Sequence, residues 1–305
     1  MQRHVTARIA ASLRYRGLTR RHADPAAAAI SVVLGEPDSA ARHIARASYV
    51  QNQAFEADYD WLATAAPAAA ARRLAAIEFA RADELAGALT GRRQPLVIAA
   101  LHMGHYVPAL LRCVAEVPQL RAIAVIKRAV HSNREDAAYR HRAASVAVHI
   151  LRLDQRPLLP ALAVLRAGGA LLTMMDVPPT FGRSKTQATM FLGRPAYLPL
   201  GPASIAVAAG AIVLPIATWP DGRRDVLDCA AFIDARRRDG ESRPAATARV
   251  HDALAGQCTA WIRAHPKAWM LWGHIGAFFT PPADAKPRLP VRAAPAQRPH
   301  SGFTA

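Results

Sequence analysis

Residues 95–101, Pro-Leu-Val-Ile-Ala-Ala-Leu, form an unbroken apolar run of strand length. A strand that is apolar at every residue is covered on both faces, as in parallel sheets. The run stops at His102-Met-Gly-His105, and a helical stretch follows from Tyr106 to Val117. The same texture recurs outward. Arg121 to Ile126 reads as a second strand, Asn133 to Ala144 as a polar helix and Val146 to Leu151 as a third strand. Leu158 to Arg166 is a helix closed by Gly168-Gly169, and Ala170 to Met175 is a fourth buried strand. Pro202 to Ala209 is a helix ended by Gly210, leading into a strand from Ile212 to Ala217, and Thr247 to His265 is a further helix. Buried runs separated by helices predict an α/β fold, with a mainly parallel central sheet flanked by helices. Helical patterns over His43 to Ala63 and Ala68 to Ala88 predict a helical N-terminal region.

The chemistry-bearing residues fall at strand ends. In an open α/β sheet, ligands bind beyond the carboxyl ends of the strands. His102 stands there, just before a helix start, as a general base would. Gly104 lets a substrate approach the backbone closely, and the N–H groups of Met103 to His105 are candidate oxyanion donors. His105 is a candidate substrate contact. The fourth strand ends the same way, in Thr173-Met-Met-Asp176, and its loop carries Arg183 and Lys185. Asp176 can orient His102 from a neighbouring strand, as the acid does in a triad. Arg183 and Lys185 suit a phosphate. No further ligand stands beside His102 and His105, so no metal site is expected. No G-x-S-x-G, Walker or G-x-G-x-x-G motif occurs, and Gly201-Pro-Ala-Ser204 does not match the elbow, which argues against a serine hydrolase.

The composition sets the outer limits. With 305 residues, 52% hydrophobic and 20% charged, the chain can bury a large core. The formal net charge of +17 is almost wholly arginine and predicts anionic company. Aromatic residues do not interleave with the basic ones, which argues against nucleic acid. Cys113, Cys229 and Cys258 show no C-x-x-C spacing, so neither a zinc ribbon nor a disulfide framework is expected. No apolar run reaches the ~18 residues of a membrane span, and no signal-peptide core is expected at the N-terminus. Residues 1–22 carry six arginines, with Val5, Ile9 and Leu13 spaced four apart. They read as a basic amphipathic helix that lies in an anionic membrane interface or docks on the core. Residues 23–280 read as the α/β domain, and the proline-rich residues 281–305 as a disordered tail.

Three further blocks carry a resemblance. They are Met190-Phe-Leu-Gly-Arg-Pro-Ala196, Pro199-Leu-Gly-Pro-Ala-Ser-Ile-Ala206 and Gly210-Ala-Ile-Val-Leu-Pro-Ile216. Together with Trp261-Ile-Arg-Ala-His-Pro-Lys-Ala-Trp269-Met-Leu-Trp272, the chain resembles the lipid A biosynthesis acyltransferase family over roughly residues 25–275. His102-Met-Gly-His105-Tyr is similar to that family's H-x-G-N-W-E segment. The resemblance implies a glycerolipid-acyltransferase type of α/β sandwich. It also implies transfer of a fatty acyl group from an acyl-carrier-protein or CoA thioester to a hydroxyl of a lipid or glycolipid, with no resident cofactor. His102 would be the base, and Arg194 would join Arg183 and Lys185 in holding phosphate. The location implied is peripheral, on the cytoplasmic face of a bacterial inner membrane. One departure matters: the family's acid, five residues after the histidine, is replaced by Val107, and the next acid is Glu116. Impaired turnover is one expectation, with Asp176 supplying the orientation and Val107→Glu rescuing part of the loss expected of Asp176→Asn. A non-catalytic relative that binds lipid or acyl carrier protein is the alternative.

Overall fold

Successive residues of an extended strand face opposite sides of a sheet, and Leu96 to Leu101 divide accordingly. Val97, Ala99 and Leu101 join one hydrophobic cluster, while Leu96, Ile98 and Ala100 join another on the opposite face. The structure is a computed structural model that describes residues 2–21, 24–90, 94–117, 119–127, 133–142, 146–181, 185–222 and 224–281. Its strands are β1 (Leu96–Ala100), β2 (Ala122–Lys127), β3 (Ala147–Arg152), β4 (Ala170–Met174), β5 (Thr186–Phe191), β6 (Arg194–Pro199), β7 (Ile212–Asp221), β8 (Arg224–Cys229) and β9 (Ile233–Asp234). Among the described residues, a seven-stranded sheet runs in the order β3-β2-β4-β1-β7-β8, with β9 also on β7. The pairings among β1, β2, β3, β4 and β7 are parallel, while β8 and β9 pair with β7 antiparallel.

The helices are α1 (Gln2–Arg21), α2 (Pro25–Leu34), α3 (Asp38–Thr64), α4 (Pro67–Ala75), α5 (Ala82–Leu89), α6 (Tyr106–Ala115), α7 (Asn133–Arg142), α8 (Leu158–Arg166), α9 (Gly201–Ala209), α10 (Arg243–Ala264) and α11 (Ile275–Phe279). Ile30 of α2, Leu165 of α8, Ala206 of α9 and Val250 of α10 cover the face of Val97. Leu110 of α6, Tyr139 of α7 and Phe55 of α3 cover the face of Ile98. The expected mainly parallel sheet with helices on both faces is therefore present. No helix among the described residues is long and apolar enough to cross a membrane.

Three local features differ from the sequence expectation. Residues 68–88 are not one helix, because Ile77 and Phe79 are buried while Glu78 pairs with β8. The Glu78 N–H donates to Asp225 O at 2.8 Å, and Leu227 N donates back to Glu78 O at 2.8 Å. Tertiary strand pairing thus overrides helical propensity between α4 and α5. A β5–β6 hairpin also projects from the sheet, turning through Leu192 (φ 54°) and Gly193 (φ 84°). Two consecutive positive φ values are those of a two-residue type I′ turn. Finally, α1 packs on α3 through Ala11 and Tyr15, whose ring lies 5.3 Å from that of Tyr49. Ile9 and Leu13 face outward instead, so the docked side is not the expected apolar stripe. The proline-rich residues 282–305 lie outside the described residues.

Gly104 holds the loop after β1 against β7. Its φ is +52°, and a Cβ added there would lie 2.4 Å from Thr218 O. The close approach is to the neighbouring backbone, which corrects the expectation that it makes room for substrate. Gly35 also has a positive φ (+75°), with nothing within 4 Å of an added Cβ. Gly35→Ala should therefore cost only the ~1–2 kcal/mol of the left-handed conformation. Gly104→Ala should cost a further ~1–3 kcal/mol for the overlap. Urea unfolding of the two variants measures the difference, and equal losses would contradict the packing described.

Candidate active site

Strands β1 and β4 are parallel neighbours with Ala100 opposite Met174, and Met175 N donates to Ala100 O at 2.8 Å. Both chains therefore leave the sheet at the same level. Two residues beyond that pair, His102 and Asp176 stand side by side. Asp176 Oδ1 lies 2.8 Å from His102 Nδ1, and Oδ2 accepts the His102 backbone N–H at 3.0 Å. Trp269 Nε1 donates to the same Oδ2 at 2.8 Å. Asp176 is fully buried. Three donors compensate a carboxylate that would otherwise be very costly to remove from water.

Residues 268–270 deliver the indole. They run beside the loop 102–104, with Met270 N donating to His102 O at 2.9 Å and Gly104 N donating to Ala268 O at 3.0 Å. Ser48 Oγ of α3 fixes the same segment by donating to Trp269 O at 2.5 Å. With the carboxylate accepting at Nδ1, the proton of a neutral His102 ring sits on that nitrogen. Nε2 is left as the basic nitrogen.

His102 lines a cavity of about 650 Å³ that crosses the carboxyl edge of the sheet. Leu110, Val125 and Leu172 line it from one face of the sheet, and Ile205 and Leu271 from the other. Exposed Arg156 and Lys185 bring cationic charge to it. Arg156 was not foreseen. Its φ of +52° puts a non-glycine residue in the left-handed region just before Pro157, an uncommon conformation that clusters at functional sites.

The remaining candidates divide. Lys185 lines the cavity with His102, whereas Gly104, His105 and Arg194 do not. Arg194 lies over the Phe279 ring, 4.9 Å from its centroid, and Arg183 lies outside the described residues. His105 Nδ1 is hydrogen-bonded to Asp58 of α3. Asp58 also pairs with Arg73 of α4 at 3.5 Å, and Arg73 with Asp225 of β8 at 2.5 Å. Burial works against the Arg73 charge, but Asp225 and then Asp58 outweigh it and push its pKa above the usual arginine value. His105 is thus an anchor between the loop and three other elements. Asp58 is a part of this anchor that sequence inspection missed, since nothing at its position marks it.

Two further expectations are corrected. The Met103 N–H donates to Leu101 O at 2.8 Å and that of Gly104 to Ala268 O, so two of the three expected oxyanion donors, all but that of His105, are engaged by the protein. Val107 is fully buried within the apolar cluster on the Ile98 face, so a carboxylate there would be desolvated rather than poised beside His102. The cysteines offer no alternative nucleophile, because all three are buried. Burial, and then the Asp176 charge, push the Cys258 thiol well above its ordinary pKa.

No protein-family model matches the chain. Over 79 residues it is 34% identical to the phosphatidylinositol mannoside acyltransferase of Mycobacterium tuberculosis, in both strain CDC 1551/Oshkosh and strain ATCC 25618/H37Rv. The aligned part is 26% of this chain and 23% of that protein, so the chain spans about a quarter of the length of the curated relatives it matches. This partial likeness is to a lipid acyltransferase.

Two variants probe the geometry. Asp176→Asn presents an amide N–H₂ to donors that now meet a carboxylate, and the ring should shift its proton from Nδ1 to Nε2. Nitrogen-15 NMR of the His102 side chain reads the tautomer directly, and an unchanged pattern would count against the hydrogen bond described. Val107→Glu should destabilise the protein by ~3 kcal/mol or more in urea unfolding, because the charge enters an apolar core without a partner. Unchanged stability would mean that the side chain at 107 reaches water.

Proposed function

We propose that this protein transfers a fatty acyl group from a thioester donor to a hydroxyl of a lipid or glycolipid. The observation that carries the reading is a histidine held by a buried acid and exposed to a largely apolar cavity. His102 Nε2 takes the proton of the acceptor hydroxyl as its oxygen attacks the thioester carbonyl. The carbon–oxygen bond forms, the carbon–sulfur bond breaks, and the imidazolium returns the proton to the departing thiolate. Asp176 holds the ring and stabilises its charge while the proton is there.

The donor reads as an acyl-carrier-protein or CoA thioester, both of which bear phosphate on the pantetheine arm. Lys185 and Arg156 are the cations at the cavity that suit it. The mycobacterial relative's name supports an acceptor that is a sugar-bearing phospholipid. An anionic membrane surface fits the exposed Ile9 and Leu13 of α1, which lie among arginines, and the net charge of +17. The alternative of a non-catalytic binding protein rested on Val107. With an acid already hydrogen-bonded to His102, that ground is weaker.

The test is incubation with acyl-CoA or acyl-carrier protein and a bacterial lipid extract, followed by mass spectrometry for a new acylated lipid. His102→Ala should lower the yield by at least ~10²-fold while the protein stays folded. A folded variant that retains full transfer would remove His102 as the base, and a wild-type protein inert toward every thioester would favour the binding role.

A further inference from the structure

Two histidine–carboxylate pairs stand in one loop, and the other partner of each acid differs. Asp58, which meets His105, is shared with the guanidinium of Arg73. Asp176 meets His102 through Oδ1, and its Oδ2 accepts the His102 backbone N–H at 3.0 Å and the Trp269 indole N–H at 2.8 Å. Neither of those two donors carries a formal charge.

The indole is fixed in that place from several sides. Trp269 is fully buried, with its ring edge-on to those of Trp272 and Phe191. Its carbonyl accepts from Ser48 Oγ, and its backbone pairs with that of Met103. Met270 and Leu271 line the cavity, but Trp269 does not. An N–H that reaches the acid and not the cavity can act on a reaction there only through Asp176.

A carboxylate divides its charge among its donors, so each one it accepts lowers what it offers the others. A cation on Oδ2 would take most of that charge and leave little to stabilise His102 once protonated. With the backbone N–H alone on Oδ2, the acid would hold the imidazolium tightly and slow return of the proton to the departing thiolate. A neutral indole donor lies between these limits. We propose that Trp269 is a positioning residue that sets, through Oδ2, how strongly Asp176 holds the proton on His102. The proposal rests on the acyl-transfer reading and adds a third member to its catalytic base.

The test compares Trp269→Phe with Trp272→Phe in the full-length chain. Both remove a fully buried indole from one aromatic cluster, but Trp272 Nε1 donates to Pro266 O at 2.8 Å and not to the acid. In Trp269→Phe the carboxylate should draw harder on the ring, moving the His102 Nδ1 proton resonance downfield. In Trp272→Phe that resonance should stay in place. In acyl transfer, Trp269→Phe should lower kcat at neutral pH by about fivefold or more with KM unchanged. The loss should be recovered at higher pH, because the acid limb of the pH–rate profile moves up by roughly half a unit or more. A merely structural role would lower activity at every pH. Should Trp269→Phe fold poorly, Ser48→Ala frees the Trp269 carbonyl and should move the resonance the same way by less. An unmoved resonance in the variants that fold, an equal shift in Trp272→Phe, or an acid limb that stays in place would overturn the role of Trp269. The resonance is read without substrate. A shifted resonance in a protein inert toward every thioester would therefore overturn the acyl-transfer reading while supporting the hold of Trp269 on the pair.

Discussion

A buried carboxylate organises the centre of this molecule. Asp176 has no access to water, and its oxygens accept from the His102 backbone, the His102 ring and the Trp269 indole. An isolated charge in that position would cost several kcal/mol, so the surrounding chain has to bring donors to it. The parallel register of β1 and β4 supplies the histidine, and the segment beside the loop 102–104 supplies the indole. Trp269 in turn packs edge-on against Trp272 at 4.8 Å and Phe191 at 5.9 Å. Through Trp269 the hairpin β5–β6 and the residues after α10 are tied to the acid.

The loop between β1 and α6 is therefore fixed from two directions. Asp176 and residues 268–270 hold one end of it, and the Asp58–Arg73–Asp225 chain holds His105 at the other. Two histidines three residues apart each meet a carboxylate, yet only one lines the cavity. Proximity in sequence does not give them one role. His102 faces the cavity, whereas His105 is joined to the scaffold.

Much of the sheet was legible because each strand is a short apolar run next to a helix, and a run buried on both faces has few other interpretations. His102 and Asp176 could be paired for the same reason, since both end buried strands. What was hidden depends on contacts that no spacing encodes. Asp58 is an ordinary helix residue until α3 crosses the loop, and Trp269 reads as a core tryptophan until its N–H is followed. The backbone donors of Met103 and Gly104 looked available because local sequence cannot tell that Leu101 and Ala268 already accept from them. Arg194 looked like a phosphate ligand within a resembling block, but the hairpin carries it to the Phe279 ring. Ile77 to Phe79 looked helical because their partner, β8, lies far along the chain.

The Trp269 contacts also span long stretches of the chain. His102 and Asp176 are 74 positions apart, Asp176 and Trp269 are 93, and Ser48 and Trp269 are 221. Closing loops of such length carries an entropic cost that grows slowly with sequence separation. A chain emerging from the ribosome presents the acid and the histidine well before the indole that steers them. The parallel ladder among β1, β2, β3 and β4 has its hydrogen-bonding partners by then, but the carboxylate still lacks one of its three donors. The buried carboxylate thus has its full set of three donors only once synthesis has passed residue 269.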